Sequence, residues 1–322
     1  MSRLFYISKH ANSTIMPMNA PSSLRIPSAH LYQPSVDVSP FVRGFITRDT
    51  RGCRLEGEQL LNRFPASAHC VMTWFLDGEA ELLVEAGGQQ GQVMSGCVVS
   101  GCQTQPVTSR NRGDTWAFMA MFYPDAFQSL FGVDLAPLQN HFVAAHELLP
   151  ARGRELVDAV FAAPSHAARQ ALVEACITEH ARHHKLPAWL RIRRMGSRIT
   201  LGMAASLLGI GPRQLQRLAL REAGANLQTL NRLRRGERSF LTAQRRYFSG
   251  QPLDWADHAL DCDYADQSHM ARDCKAQTGR TPSQLARDAA CEEADWIYRL
   301  EFSDAFTDEF KNGDDPPPTR PA

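Results

Sequence analysis

Residues 263–284, DYADQSHMARDCKAQTGRTPSQ, leave the backbone few options. Asp266 suits the N-cap of a helix, because a carboxylate there accepts from N–H groups that have no partner in the first turn. Met270 and Cys274 recur at the spacing of one buried face. Gly279 supplies the left-handed residue on which helices end, and Pro282 fits the first turn of the next one. Gln267, Ser268, His269, Arg272 and Lys275 are left for the polar side. Upstream, residues 253–263 (LDWADHALDCD) predict a shorter helix, so a helix, a tight turn and a polar-faced helix follow in helix-turn-helix order.

A second such arrangement precedes it. From Thr200 the chain reads TLGMAASLLGIGPRQLQRLALREAG: a capping threonine, an apolar helix, a turn at residues 209–211, then Pro212 opening a helix. Arg213, Gln216, Arg217 and Arg221 point away from the side of Leu215 and Leu218. A helical segment over 226–248 joins the two units, and Gly236 inside it is expected to cost about 1 kcal/mol relative to alanine. Arginine can donate twice to guanine O6 and N7, and glutamine can pair with adenine N6 and N7, so both helices carry what a major-groove reader needs. The competing reading of both polar faces is plain solvation, and for His269 also packing or capping.

The double unit resembles the DNA-binding domain of the AraC/XylS family of bacterial transcription regulators, over roughly residues 186–288. DQSHMARDCKAQTGRTPSQ is similar to the family's signature segment, and MAASLLGIGPRQLQRL carries the likeness in the first unit. Asp263 stands before Tyr264 where the family usually has glycine. The resemblance implies a sequence-specific regulator with double-stranded DNA and RNA polymerase as partners, more commonly an activator. Two N-terminal stretches, FPASAHCVMTWFLDGEAEL and VVSGCQTQPVTSRNRGDTWAFMAMFYPDAF, are more weakly similar to the sensing domains joined to many members, which bind a small-molecule effector or self-associate as homodimers.

Charge follows the same division. Residues 188–291 hold 17 Lys and Arg against 9 Asp and Glu, a net +8, whereas residues 292–322 hold 3 against 9, a net −6. Positive charge thus lies where the two units lie, as phosphate binding requires. Eight cysteines without a CxxC pair or zinc-finger spacing point to reduced thiols and a cytoplasmic location. The first 20 residues lack an export signal's apolar run, no 18-residue apolar stretch predicts a membrane span, and Met16 and Met18 are alternative starts.

Residues 70–76 (CVMTWFL), the turn signal Asp77-Gly78 and residues 79–85 predict a hairpin; 93–100 and 116–123 predict further strands, and 125–142 a helix. Glycines punctuate these runs and favour a cupin-like β-barrel or sandwich; Trp74, Trp116, Phe118 and Phe122 read first as core, with an apolar pocket between them as the natural effector site in a barrel. The stripe over 152–184, broken at Pro164, suits a dimer seam or an ordinary core equally. The chain therefore reads as α+β: a disordered leader (1–20), a sensory β-barrel domain (21–150), a helical connector (151–187), an all-α tandem helix-turn-helix domain (188–290) and an acidic, proline-rich tail (291–322).

The alternative is a small-molecule-processing cupin-type enzyme with a vestigial reader. No nucleophile–base pair, phosphate loop or metal spacing in the sequence supports it, so neither catalytic residues nor a cofactor or metal are expected. His180, His183 and His184 can share a helix face, but no carboxylate or cysteine nearby completes a metal site, and His69 lacks an HxH partner. Cys97 and Cys102, with Arg110 and Arg112 nearby, could sense oxidation; buried packing is the default.

Overall fold

The computed structural model describes residues 25–83, 91–184, 209, 211–251 and 253–300. Its N-terminal part holds strands β1 (Ser28–Tyr32), β2 (Val42–Asp49), β3 (Leu61–Phe64), β4 (Cys70–Asp77), β5 (Ala80–Leu82), β6 (Val93–Met94), β7 (Cys97–Ser100), β8 (Val107–Asn111), β9 (Trp116–Phe122) and β10 (Phe142–Ala144). They form two antiparallel sheets, ordered β1-β2-β9-β4-β7-β10 and β3-β8-β5-β6.

Helices α1 (Pro124–Phe131), α2 (Ala145–Leu148), α3 (Ala151–Ala162) and α4 (His166–His183) follow, with Pro164 between α3 and α4. Strand alternation divides the larger sheet into two faces. Phe45, Met72, Trp74, Phe118, Ala120 and Phe122 pack with Phe127, Leu156, Val160 and Val173 of α1, α3 and α4. Their neighbours Ile46, Met119 and Met121 turn to the other face. There the smaller sheet adds Ala80, Leu82, Met94 and Val107 around Val98 and Phe75.

The class is α+β as expected, but the sheets remain two layers instead of a closed barrel. The expected hairpin across Asp77-Gly78 does not form. β4 pairs with β7 and β9, whereas β5 pairs with β6 and β8 in the other sheet. Gly78, at φ +75°, lies so close to the Asp114 carbonyl that a Cβ would collide with it, so this turn diverts the chain between layers. The expected strand over 93–100 is likewise split at Gly96, φ +63°, with one half in each sheet. The helix expected over 125–142 stops at Gly132, left-handed at φ +67°.

The C-terminal part is helical: α5 (Pro212–Ala223), α6 (Leu227–Phe248), α7 (Trp255–Asp261), α8 (Gln267–Thr278) and α9 (Pro282–Cys291). A 3-10 segment, Glu293–Arg299, then crosses back to the sheets. This corrects the expectation of an acidic tail from residue 291. Ala294, Trp296, Tyr298 and Leu300 alternate and are buried, with Trp296 and Leu300 against Ile46 of β2. Acidic residues in the same stretch mask that pattern because two of them meet arginines: Asp295 reaches Arg63 and Arg280, and Glu293 pairs with Arg48 and Arg299. The leader and residues 301–322 lie outside the described residues.

Candidate nucleic-acid interface

The second unit is built as its local chemistry demands. The Asp266 carboxylate accepts from His269 N–H at 2.7 Å, Gly279 closes α8 at φ +77°, and Thr281 caps α9 with Gln284 completing the box and Pro282 in its first turn. Asp263 takes the left-handed conformation, φ +61°, that the turn needs, and its carboxylate accepts from Arg238 of α6 at 2.6 Å. Aspartate is among the few non-glycine residues that visit this region readily. Asp263→Ala should lower stability by about 1–2 kcal/mol, since alanine keeps the strain and loses the ion pair; Asp263→Gly should lose less. Thermal unfolding of both variants checks the order.

Ala259, Cys262, Tyr264 and Met270 form the small core between α7 and α8. Burial pushes the Tyr264 phenol up to about 12. Arg235 of α6 lies over its ring at 4.4 Å and donates to Asp273 at 2.8 Å, tying the linker helix to α8. Gly236, one residue on, is where α8 comes nearest: a Cβ there would run into the Gln277 carboxamide, which donates to Arg232 O at 3.1 Å. The weak helix residue thus permits close helix packing. Gly236→Ala should gain about 1 kcal/mol in helix propensity and lose about 1–3 kcal/mol in overpacking, a net destabilisation. Gly236→Ala with Gln277→Ala should recover part of it in the same unfolding measurement.

On the outer side of α8, Gln267, Ser268, Arg272 and Lys275 are exposed, the last three at positions i, i+4 and i+7. His269 departs from the expected reading face. Its ring meets Tyr264 edge-on at 5.3 Å and its Nε2 lies 3.4 Å from Arg235, so it serves the packing between α6 and α8.

In the first unit Gly209 is left-handed at φ +62°, Pro212 opens α5 and Gly224 ends it at φ +66°. The apolar helix expected over 200–208 lies outside the described residues. Leu215 and Ala219 face inward, while Arg213, Gln216, Arg217, Leu220 and Arg221 are exposed. Arg221 donates to Glu222 at 3.0 Å. Leu220, 50% exposed, was not anticipated; it sits in the middle of the basic stripe, where its spacing from Arg213 and Arg217 would have shown it.

Both parts of the chain meet across a seam of small side chains. Ala66, Ala68 and Cys102 pack on Ala219, Ala225, Leu230 and Leu233. Ala66 N–H donates to Gln277 O at 2.8 Å, Arg43 pairs with Glu237 at 3.4 Å, and Gly224 lies under the Leu135 carbonyl. The Glu293–Arg299 strap fastens the same two parts: Trp296 Nε1 donates to Asn62 at 2.8 Å, Arg280 donates to Asp295 at 2.5 Å, and Gln244 donates to Tyr298 O and Leu300 O.

The residues expected to line an effector pocket do not gather around one. Trp74, Phe118 and Phe122 are fully buried and packed, Trp74 and Phe118 with ring centroids 5.6 Å apart. Trp116 lies at the other end of β9, beside Arg51 and Arg169. A cavity of about 510 Å³ lies elsewhere, lined by Phe131, Val133, Pro137, Leu138, Leu148 and Leu149 among others. Cys97 and Cys102 are buried, and desolvation raises both thiols, Cys102 to about 12, opposite to what a reactive thiolate needs. His180 is buried against Ser129 at 3.0 Å and stacks on His184.

A family described as a helix-turn-helix domain matches residues 204–288, and one described as a domain of unknown function (DUF6597) matches residues 30–144. No curated protein matches the chain. Among solved structures, ToxT from Vibrio cholerae is similar at 11% identity and a TM-score of 0.38, over 70% of this chain and 92% of that one. ToxT from Vibrio cholerae O395 bound to (E)-4-(8-methylnaphthalen-1-yl)but-3-enoic acid gives 12% identity and 0.38, over 70% and 96%. No helix among the described residues is long and apolar enough to cross a membrane. The helix-turn-helix match lies over α5 to α9, and the signature segment is folded there as α8 and its caps, so residues 204–288 belong to a helix-turn-helix domain family.

Proposed function

We propose that the chain reads two adjacent major-groove segments, one with α5 and one with α8, in response to a small molecule sensed by its β-rich domain. The observation that carries this reading is the pair of exposed stripes, Arg213, Gln216, Arg217 and Arg221 on α5 and Gln267, Ser268, Arg272 and Lys275 on α8, each opposite a buried apolar face. Arginine and glutamine side chains in these positions suit base edges, and Lys275 and Arg221, nearer the helix ends, suit phosphates. Two such helices on one rigid linker would occupy successive groove segments about 34 Å apart. The seam at Ala66–Gln277 and the strap give the sensing domain a physical route to the reader. Homodimerisation and contact with RNA polymerase complete the reading, which involves no chemistry on a substrate.

Hydroxyl-radical footprinting of the full-length protein, on a duplex selected from a random library, tests it. Two protected tracts on one face, about one helical turn apart, are expected. A single tract would mean that only one unit reads, and uniform weak protection would mean that neither does.

A further inference from the structure

α4 begins beside the outer end of β9, and a buried cation lies there without a counter-ion among the described residues. Arg169, 3% exposed, donates from NH2 to Ala163 O at 2.7 Å. Among the described residues its Nε and NH1 are buried and have no hydrogen-bond partner, and the same holds for Trp116 Nε1 and His166 Nδ1. These groups surround one indole: the Arg169 guanidinium carbon lies 5.0 Å from the Trp116 ring centroid and the His166 ring 5.7 Å from it. Arg51 covers the ring at 4.0 Å, but its charge is already met by Asp49, through bonds of 3.0 and 2.7 Å. Among the described residues no acidic group pairs with Arg169, and burial pulls its pKa below the usual arginine value.

A buried guanidinium with open donors is costly unless an anion meets it. The first turn of α4 adds to the same field, because the N–H groups of residues 166 and 167 precede any intrahelical acceptor and the helix dipole is positive at this end. Trp116 and His166 are only partly buried, so they form the rim through which a ligand would enter when the indole turns aside. We propose that Arg169, Trp116 and His166, at the start of α4, bind the carboxylate or phosphate group of a small molecule. The inference deepens the sensing role proposed above and is independent of DNA reading.

The test uses the full-length protein without DNA, labelled with ¹⁵N at its indole nitrogens and titrated with benzoate, inorganic phosphate or, as an ionic-strength control, chloride. The Trp116 resonance, assigned by its loss in Trp116→Phe, is expected to shift saturably with benzoate or phosphate and not with chloride; which of the two acts identifies the group. Arg169→Gln should weaken that binding by about tenfold or more, the loss expected for a charge-assisted bond. Should Arg169→Gln fail to fold, the anion-dependent rise in Tm of the wild type is compared with that of Trp116→Phe, which keeps the ring and removes the donor. No saturable shift with either anion, or the same shift in Arg169→Gln, would overturn the site and leave the guanidinium held by its indole stack alone. Either result leaves the DNA-binding assignment as it stands.

Discussion

Trp296→Ala should lower the stability of the full-length protein by about 3–5 kcal/mol, the range for truncating a fully buried tryptophan. Trp296 is 2% exposed, meets Phe64 edge-on at 5.7 Å, lies beneath Arg48 and donates its indole N–H to Asn62. Its loss should also release the strap from the sheet, and with the strap the carboxylate of Asp295 that joins Arg63 to Arg280. Hydrogen exchange should therefore quicken both in β3 and around the α8–α9 turn, two places far apart in sequence. Trp296→Phe should lose less, since it keeps the packing and gives up only the bond to Asn62. Faster exchange in β3 alone would mean that the strap belongs to the sheets and does not couple the two parts.

The second large effect concerns recognition. If Arg217 and Arg272 each make a bidentate base contact, each alanine variant should cost about 1–3 kcal/mol on the selected duplex, and the double variant about the sum. Preference should relax at different base positions for the two variants, because the helices reach different groove segments. Binding titrations on duplexes varied one position at a time measure this. Equal losses on every duplex would make both arginines phosphate contacts. His269→Ala should instead act through stability, because its ring is packed on Tyr264.

The reader was legible in the sequence because local chemistry alone determines its parts. Asp266, Gly279, Thr281 and Pro282 each impose a backbone state within a few residues, and the buried position of Met270 follows from helical period. Whether His269 reads or packs was not legible, because its direction depends on Arg235 and Tyr264, which reach it through tertiary packing. The β-rich part was less legible for a related reason. Strands at 70–77 and 116–122 carry strong aromatic signals, but whether β5 returns onto β4 or crosses to the other sheet is decided by the close approach of Gly78 to Asp114. Composition hid the strap: an A-x-W-x-Y-x-L alternation over 294–300 sits among acidic residues that become structural only when Arg48, Arg63 and Arg280 arrive from elsewhere. The reading of Trp74, Phe118 and Phe122 as core follows from alternation, since they share the sheet face that α1, α3 and α4 cover.

The most direct test of the central claim is the ratio of full-length affinities for the selected duplex and for a scrambled duplex of the same length and composition, measured at one physiological salt concentration. A reader of this kind should favour the selected duplex by about 10³-fold or more. A ratio near one, with both affinities falling steeply as salt rises, would contradict it and reduce the basic stripes of α5 and α8 to nonspecific phosphate binding.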